Sequence, residues 1–463
     1  MKLKYIALVL LCCLTIDNIT AQKAKTDDQD VEMIRKIYDE ALGKGESYQM
    51  LEFLTKQIGA RLAGSPGAAA AVDWSKETME GFEFDNVFLQ EVMVPHWVRG
   101  QKEIGKIVNS KMGSVEVNVV ALGNSVGSGP NGVAGKIVEV QNFDELAALG
   151  ETGIKGKIVF FNRRMDPTLI ETFEAYGGAG NQRGAGPSEA AKYGAIGVVV
   201  RSLTNALDDH PHTGSTNYTP NLYKLPAVAI STNDADKLSR MLKDDSELEF
   251  YFETHSQMLP DKLSHNVVGE LKGSSKADEY IVVGGHLDSW DLSQGAHDDG
   301  TGCVQSIEVL RILKAIGYKP KRTLRAVMFM NEENGLRGGR KYAELAAENK
   351  EKHIAAMESD RGGFKPLGFT FTAEDKQVER IKGWAPLFVP YQIYKFDTGG
   401  GGADISPLAT QGVPMIGFYP DPQRYFDYHH TAIDTFDKVS RRELELGAAT
   451  MAALTYLIDK YGL

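Results

Sequence analysis

The sequence predicts an α/β protein: a mixed, largely parallel sheet with helices on both faces, interrupted by a β-rich insert. Three observations carry this reading. Residues 281–302, IVVGGHLDSWDLSQGAHDDGTG, read as a buried β-branched strand and a loop, and an amphipathic helix, CVQSIEVLRILKAIG, follows; this is the unit from which parallel sheets are assembled. Strand-like and helix-like segments then alternate from HNVVGELKG to the closing RRELELGAATMAALTYLID, as in sheets covered on both faces. Between residues 119 and 250 the texture changes to GVAGKIVEV, GIKGKIVFFN, IGVVVRS and KLPAVAIS, short β-rich pieces punctuated by glycine.

These observations divide the 463 residues into a leader over 1–21, a main domain formed by 22–118 and 251–463, and an insert over 119–250. The length accommodates both bodies at roughly 100–200 residues per domain.

In the leader, Lys2 and Lys4 precede an apolar stretch from Tyr5 to Leu14 and a polar region ending at Ala21. This is the pattern of a secretory signal peptide, too short to remain as a membrane span, so an exported protein, periplasmic or extracellular, is expected. A lipoprotein anchored through Cys12 or Cys13 is the alternative, although a bulky residue precedes either cysteine. Removal of the leader leaves Cys303 as the sole thiol, which excludes an intramolecular disulfide. It also moves the formal charge from 51 minus 62, or -11, to 49 minus 61, or -12. An acidic product without a basic run offers no footprint for nucleic acid, and no later segment is an integral membrane span.

Residues 22–30 read as irregular polar chain. VEMIRKIYDEAL and SYQMLEFLTKQIG carry apolar residues at helical spacing, separated by Gly43 and Gly45. RLAGSPG is a turn, AAAAVDWSKETMEGF a third helix and VFLQEVMVPHWV a strand. Within the insert only SEAAKYGA reads as helical, and His210 and His212 in DDHPHTG read as solvated turn imidazoles.

Open α/β sheets bind ligands beyond the carboxyl ends of their strands. His286 ends one strand, with Asp298 and Asp299 in the following loop. TLRAVMFM runs into Glu332 and Glu333, HIAAMES delivers Asp360 and Arg361, and VPMIGFYP leads to His429 and His430 in YHHTAIDT. Any one of these alone is ordinarily a core histidine or a solvated loop carboxylate; their coincidence at successive strand ends outweighs that reading. Histidines and carboxylates without a thiolate among them suit zinc in a hydrolytic site. Adjacent side chains at a strand end point to opposite sides, so one of Glu332 and Glu333 can hold metal while the other faces substrate. Asp288, two residues past His286, can orient the imidazole by accepting its second N–H. The run Gly399 to Gly402 cannot be a helix interior, leaving a hinge or a loop that closely approaches a ligand.

Together HLDSW, GAHDD, NEENG, ESD and YHHTAIDT resemble the zinc exopeptidase family that contains bacterial leucine aminopeptidases and glutamate carboxypeptidases. HLDSWD, KRTLR and MESD bring the resemblance nearest to its plasma glutamate carboxypeptidase branch. The resemblance implies two zinc ions per chain, one held by His286, Asp298 and Asp360, the other by Asp298, Glu333 and His430. It makes Glu332 the general base acting on a metal-bridging hydroxide, supported by Asp288. It also implies that the insert is a protease-associated domain, that RLAGSPG lies at the site's rim, that Gly401, Gly402 and Asp404 belong to a substrate-side loop, and that the chain is a homodimer.

The implied activity is hydrolysis of dipeptides or short peptides with unblocked termini. A free α-amine needs a carboxylate or carbonyl acceptor, for which Asp404 and the RLAGSPG loop are candidates; an α-carboxylate needs Arg361 or Arg424. Carboxypeptidase or dipeptidase chemistry is ranked ahead of an aminopeptidase. A single-zinc glutaminyl cyclase would lack one metal position, and a receptor-like binding protein would have lost ligands that this sequence retains.

Overall fold

Helix Asp28–Lys44 overlaps the stretch expected to be irregular; Asp28 and Asp30 lie in its first turn and Lys44 in its last, each complementing the helix dipole. The computed structural model describes residues 28–109 and 113–463; the segment expected to be a signal peptide, with Cys12 and Cys13, lies outside them. A second helix, Ser47–Phe53, follows Gly45. A third, Pro66–Gly81, is capped by Ser65, whose side chain accepts the Ala68 N–H, as the turn in RLAGSPG requires.

Among the described residues sixteen strands form two sheets. Strand β1 (Asn86–Val98) belongs to the main sheet. The chain then makes β2 (Ile104–Asn109), β3 (Gly113–Val117), β4 (Val119–Ala121), β5 (Val133–Val140), β6 (Ile158–Phe161), β7 (Gly197–Arg201), β8 (Ala227–Ile230) and β9 (Glu249–Glu253) of the inserted sheet. It returns through β10 (Gln257–Leu271), β11 (Lys276–His286), β12 (Arg322–Phe329), β13 (Lys352–Glu358), β14 (Pro366–Thr372), β15 (Lys395–Thr398) and β16 (Met415–Pro420).

The main sheet has the order β1-β10-β12-β11-β13-β16-β14-β15. Its centre, β12-β11-β13-β16, is parallel, while β1, β10 and β14 run antiparallel to their inner neighbours. The alternation of side chains along a strand explains how both faces become apolar. Ile281 and Val283 pack on one side with the helices Thr301–Ala315 and Arg441–Tyr461. Val282 packs on the other with Tyr342 and Ala346 of the helix Arg337–Glu348. The expected two-sided α/β layer is present.

The inserted sheet, order β3-β2-β9-β5-β6-β7-β8-β4, takes in 104–109 and 249–253 and so extends beyond the bounds read from sequence. It is also less purely β than expected. Its β5-β6-β7-β8 core is parallel, and four helices accompany it: Phe143–Ile154, Thr172–Gly184, Gly186–Ala191 and Thr232–Asp244. Asn142 and Ser231 cap two of these by accepting the N–H groups of Glu145 and Asp234. Thr172–Gly184 contains four glycines, which hide its helical character from a propensity reading. Among the described residues no helix is long and apolar enough to cross a membrane.

Candidate metal centre

His286 closes β11, and its placement depends on the small residues around it. The Asp299 carboxylate accepts the N–H of His286 and that of Gly302, both at 3.0 Å. A Cβ at Gly285 would lie 2.4 Å from Asp299 Oδ2, and one at Gly302 only 1.9 Å from the Ser359 carbonyl. Asp299 is therefore a buried brace for the loop.

Asp298, joined to Asp299 by a cis peptide, turns its two oxygens to opposite partners. Oδ1 lies 3.2 Å from His286 Nε2, and Oδ2 lies 3.2 Å from His430 Nε2. Asp360, two residues past β13, brings Oδ1 to 3.5 Å from His286 Nε2. Glu333 brings Oε2 to 3.1 Å from His430 Nε2. All five residues expected to hold metal thus meet at the carboxyl ends of β11, β12 and β13, with His430 arriving from the loop after β16. His429 reaches Asp298 Oδ2 at 3.7 Å and stacks on His430 with ring centroids 3.4 Å apart; burial and the neighbouring His430 hold it well below the usual imidazole range.

The imidazoles' orientation bears on what can sit between them. His286 Nδ1 is 2.9 Å from the Asp288 carbonyl and His430 Nδ1 3.2 Å from the Thr213 carbonyl. A carbonyl only accepts, so both rings carry a proton on Nδ1 and turn Nε2 towards carboxylate oxygens. His286 Nε2 and Asp298 Oδ2 are buried without hydrogen-bond partners. A cation is what these atoms fit.

The surrounding charge agrees. Burial pushes the Glu332 and Asp299 carboxyls well above the usual range. Burial and Asp298 push Glu333 up to about 7, and burial and Asp360 push Glu358 up to about 7. Burial opposes protonation of His430, yet Glu333 and Asp298 raise it to about 10. Carboxylates packed this densely, away from water, require positive charge among them.

One expected contact is corrected. The group accepting the His286 Nδ1–H is the backbone carbonyl of Asp288; its carboxylate Oδ1 stands 3.9 Å from that nitrogen. Oδ1 is already engaged, accepting the N–H groups of Asn331 at 2.7 Å and Glu332 at 3.0 Å. Asn331 has φ +75°, a left-handed turn that Asn tolerates. Asp288 therefore fixes the backbone that carries Glu332.

The glycine run is likewise turned inward. A Cβ at Gly402 would lie 2.4 Å from Glu358 Cδ, and one at Gly401 2.5 Å from Met415 Cβ. Glu358 accepts the N–H groups of Ala403 and Ile405, both at 2.9 Å. The closely approached partner of this loop is the buried Glu358. Asp404 is only 1% exposed, and neither of its oxygens has a hydrogen-bond partner among the described residues. Arg361 remains partly exposed beside Asp360. Its guanidinium lies over the rings of Phe173 at 4.5 Å and Tyr419 at 5.2 Å, and no ion pair is formed with it among the described residues. Arg424, in contrast, pairs with Glu443 at 3.4 Å.

Two positioning residues escaped the sequence reading. Asp434 accepts the N–H groups of His297 at 2.8 Å and Asp298 at 3.1 Å; its place in YHHTAIDT was the available signal. Arg61 of RLAGSPG is fully buried and donates to the carbonyls of Leu287 and Gln294, both at 2.6 Å, and of Gly295 at 2.8 Å. It spans the loop that joins His286 to Asp298. His212, read as solvated, is 1% exposed, and burial and His430 lower it to about 3.

Comparison with known proteins agrees with this geometry. Residues 266–455 match the model of peptidase family M28. The chain is 33% identical to carboxypeptidase Q of Bos taurus over 90% of this chain and 85% of that one, and 34% identical to carboxypeptidase Q of Xenopus laevis over 97% and 95%. The crystal structure of a peptidase M28 precursor from Shewanella amazonensis superposes with a TM-score of 0.89 at 32% identity, covering 94% of this chain and 97% of the other. With strand-end ligands, the two-sided sheet and these relatives in agreement, the chain belongs to peptidase family M28.

Proposed function

We propose that the protein is an exported di-zinc exopeptidase that hydrolyses dipeptides and short peptides with a free C-terminus. The observation that carries this is the Asp298 carboxylate, one oxygen facing His286 and Asp360, the other facing His430 and Glu333. A carboxylate shared between two nitrogen–oxygen donor sets is the arrangement that holds a pair of ions. His286, Asp298 and Asp360 would hold one zinc, and Asp298, Glu333 and His430 the other. The ligands' three negative charges offset most of the charge of two divalent cations. When bound, zinc polarises the scissile carbonyl and acidifies the attacking water.

The remaining work falls to the chain. Glu332 is half-buried and bears no metal in this assignment. Asp288 holds its backbone in place, so its carboxylate can take a proton from the attacking water and deliver it to the leaving amine nitrogen. Polarity follows from the anchors. Asp404 is closed from solvent, whereas Arg361 is partly open, lacks a carboxylate partner and is steadied by two aromatic faces, so it suits a substrate α-carboxylate. The insert serves as a protease-associated domain, and the active form is a homodimer.

Metal analysis and a substrate panel test this reading. Active protein should contain two zinc ions per chain and lose peptidase activity on chelation. One dipeptide in free, N-acetylated and C-amidated forms should be cleaved in the first two forms and spared in the third. One ion per active chain would remove the two-metal assignment; cleavage of the amide with loss of the acetylated substrate would make the enzyme an aminopeptidase.

A further inference from the structure

The residues assigned to the two metal positions are oriented from different parts of the chain. His286 is fixed by hydrogen bonds to groups of its own domain, the Asp288 carbonyl and the Asp299 carboxylate, and Asp360 is approached at 3.5 Å by Tyr425, which the insert meets only by ring stacking of Phe173 at 5.3 Å. Glu333 and His430 are gripped from the inserted domain. Thr213 and His430 form a reciprocal pair: the Thr213 N–H donates to the His430 carbonyl at 3.0 Å, and His430 Nδ1–H donates to the Thr213 carbonyl at 3.2 Å. Arg183, also of the insert, donates to that same carbonyl at 3.2 Å. Two residues on, the Ser215 hydroxyl donates to the Glu333 carbonyl at 2.7 Å.

The fit is close enough to exclude side chains. Gly214 has φ +133°, and a Cβ there would meet the Arg183 guanidinium at 2.4 Å. Ser215 bridges to Gly123, where a Cβ would lie 1.8 Å from the Trp290 ring. Trp290 in turn donates its backbone N–H to Glu333 Oε1 at 3.2 Å. Asn124 then meets Asn334, the residue after Glu333, through side-chain contact at 3.2 Å.

We propose that the inserted domain, through Thr213 and Ser215, sets the affinity of the metal position formed by Glu333 and His430 and leaves the position formed by His286 and Asp360 largely independent of it. The inference rests on the two-metal reading. Its physical basis is that the acceptor on an imidazole's second nitrogen fixes both the tautomer and the ring direction, and such partners alter metal affinity about 10- to 100-fold. The Thr213 carbonyl is that acceptor, and Arg183 holds the carbonyl in place. The insert therefore acts on the metal centre without supplying a ligand, and Arg183 and Ser215 are positioning residues.

The test is zinc titration of metal-stripped wild type, Ser215→Ala and Arg183→Met against a competing chromophoric chelator, with thermal melting of each metal-free protein. The wild type should take up two equivalents. Each variant should keep the first equivalent at wild-type affinity and bind the second about 10- to 100-fold more weakly, with zinc-edge anomalous scattering from crystals at limiting metal showing a peak beside His286 and Asp360 only. Two equivalents at unchanged affinity, or equal weakening of both, would overturn the proposal. A wild type taking up a single equivalent would overturn the two-metal reading itself, and the inference with it. If Arg183→Met fails to fold, Ser215→Ala decides the matter alone, since it removes one hydroxyl.

Discussion

The Asp288 carboxylate accepts the backbone N–H of Glu332 at 3.0 Å, across 44 residues of sequence. Through this bond β11 and β12 fix their loops relative to each other, and the side chain assigned to proton transfer is held by a group that does not itself touch His286. Replacing Asp288 by Ala should leave zinc content intact, because the acceptor for His286 Nδ1 is a main-chain carbonyl that the variant retains. Two N–H groups would lose their acceptor, the buried one of Asn331 at about 1–3 kcal/mol and the part-buried one of Glu332 at less. Turnover should fall roughly 10- to 100-fold through misplacement of the base. Zinc loss in this variant would show that the carboxylate orients the imidazole after all.

Glu332→Gln separates proton transfer from metal binding. The amide keeps the side chain's shape but cannot accept the proton, so turnover should drop by roughly two to four orders of magnitude while zinc analysis stays at the wild-type value. Near-normal turnover would remove Glu332 from the mechanism.

Arg361→Met should act on specificity. The thioether can still pack between Phe173 and Tyr419, but the charge is gone. A hydrogen bond to a charged partner contributes about 1.5–3 kcal/mol, so kcat/KM for a free dipeptide should fall roughly 10- to 100-fold, with little change for any residual cleavage of its C-amidated form. Equal losses on both substrates would assign Arg361 a structural role.

His353 gives a prediction in pH, away from the metal ligands. Burial, reinforced by Arg325, lowers it from 6.5 to about 4, and Tyr342 bonds its Nε2 at 2.8 Å. Between those values the unfolded chain binds the extra proton and the folded chain does not, so this contribution is complete above pH 6.5 and is lost as pH falls towards 4. Denaturant unfolding should show His353→Gln less acid-sensitive than wild type, the difference narrowing by about 2 kcal/mol between about pH 7 and pH 5. Parallel stability curves for the two proteins would refute the assignment.

What the sequence made legible was local. His286 after IVVGG, the Glu332–Glu333 pair after TLRAVMFM and Asp360 after MES could be placed at strand ends because strand periodicity and the C-terminal-edge rule act over a few residues. The Thr213–His430 bond spans 217 residues and Arg61–Leu287 spans 226; no periodicity encodes such pairs. The insert's margins were misread for a related reason. IGKIVN at 104–109 and EFYFE at 249–253 are ordinary strand sequences, and only their pairing assigns them to the second sheet. Asp288 was read as a side chain near a histidine, whereas its carboxylate serves a loop that only the folded sheet brings beside it.

The margins of the inserted sheet also bear on the order in which the chain can assemble. Ile104 pairs with Glu253 in β2 and β9, while Val98 pairs with Gln257 in β1 and β10. During synthesis the whole insert leaves the ribosome before Gln257 does, and domains generally fold as units from the N-terminal side. Once β2 and β9 have zipped, the long excursion between Val98 and Gln257 shrinks to two short connections. The entropic cost of closing that loop, which grows with the logarithm of its length, has then been met within the insert. The nascent insert is thus a clasp that delivers β10 to β1, and a ribosome-stalled chain ending far enough past β9 for that strand to have left the ribosome should already protect β2 and β5 to β9 from protease while β1 remains open to cleavage.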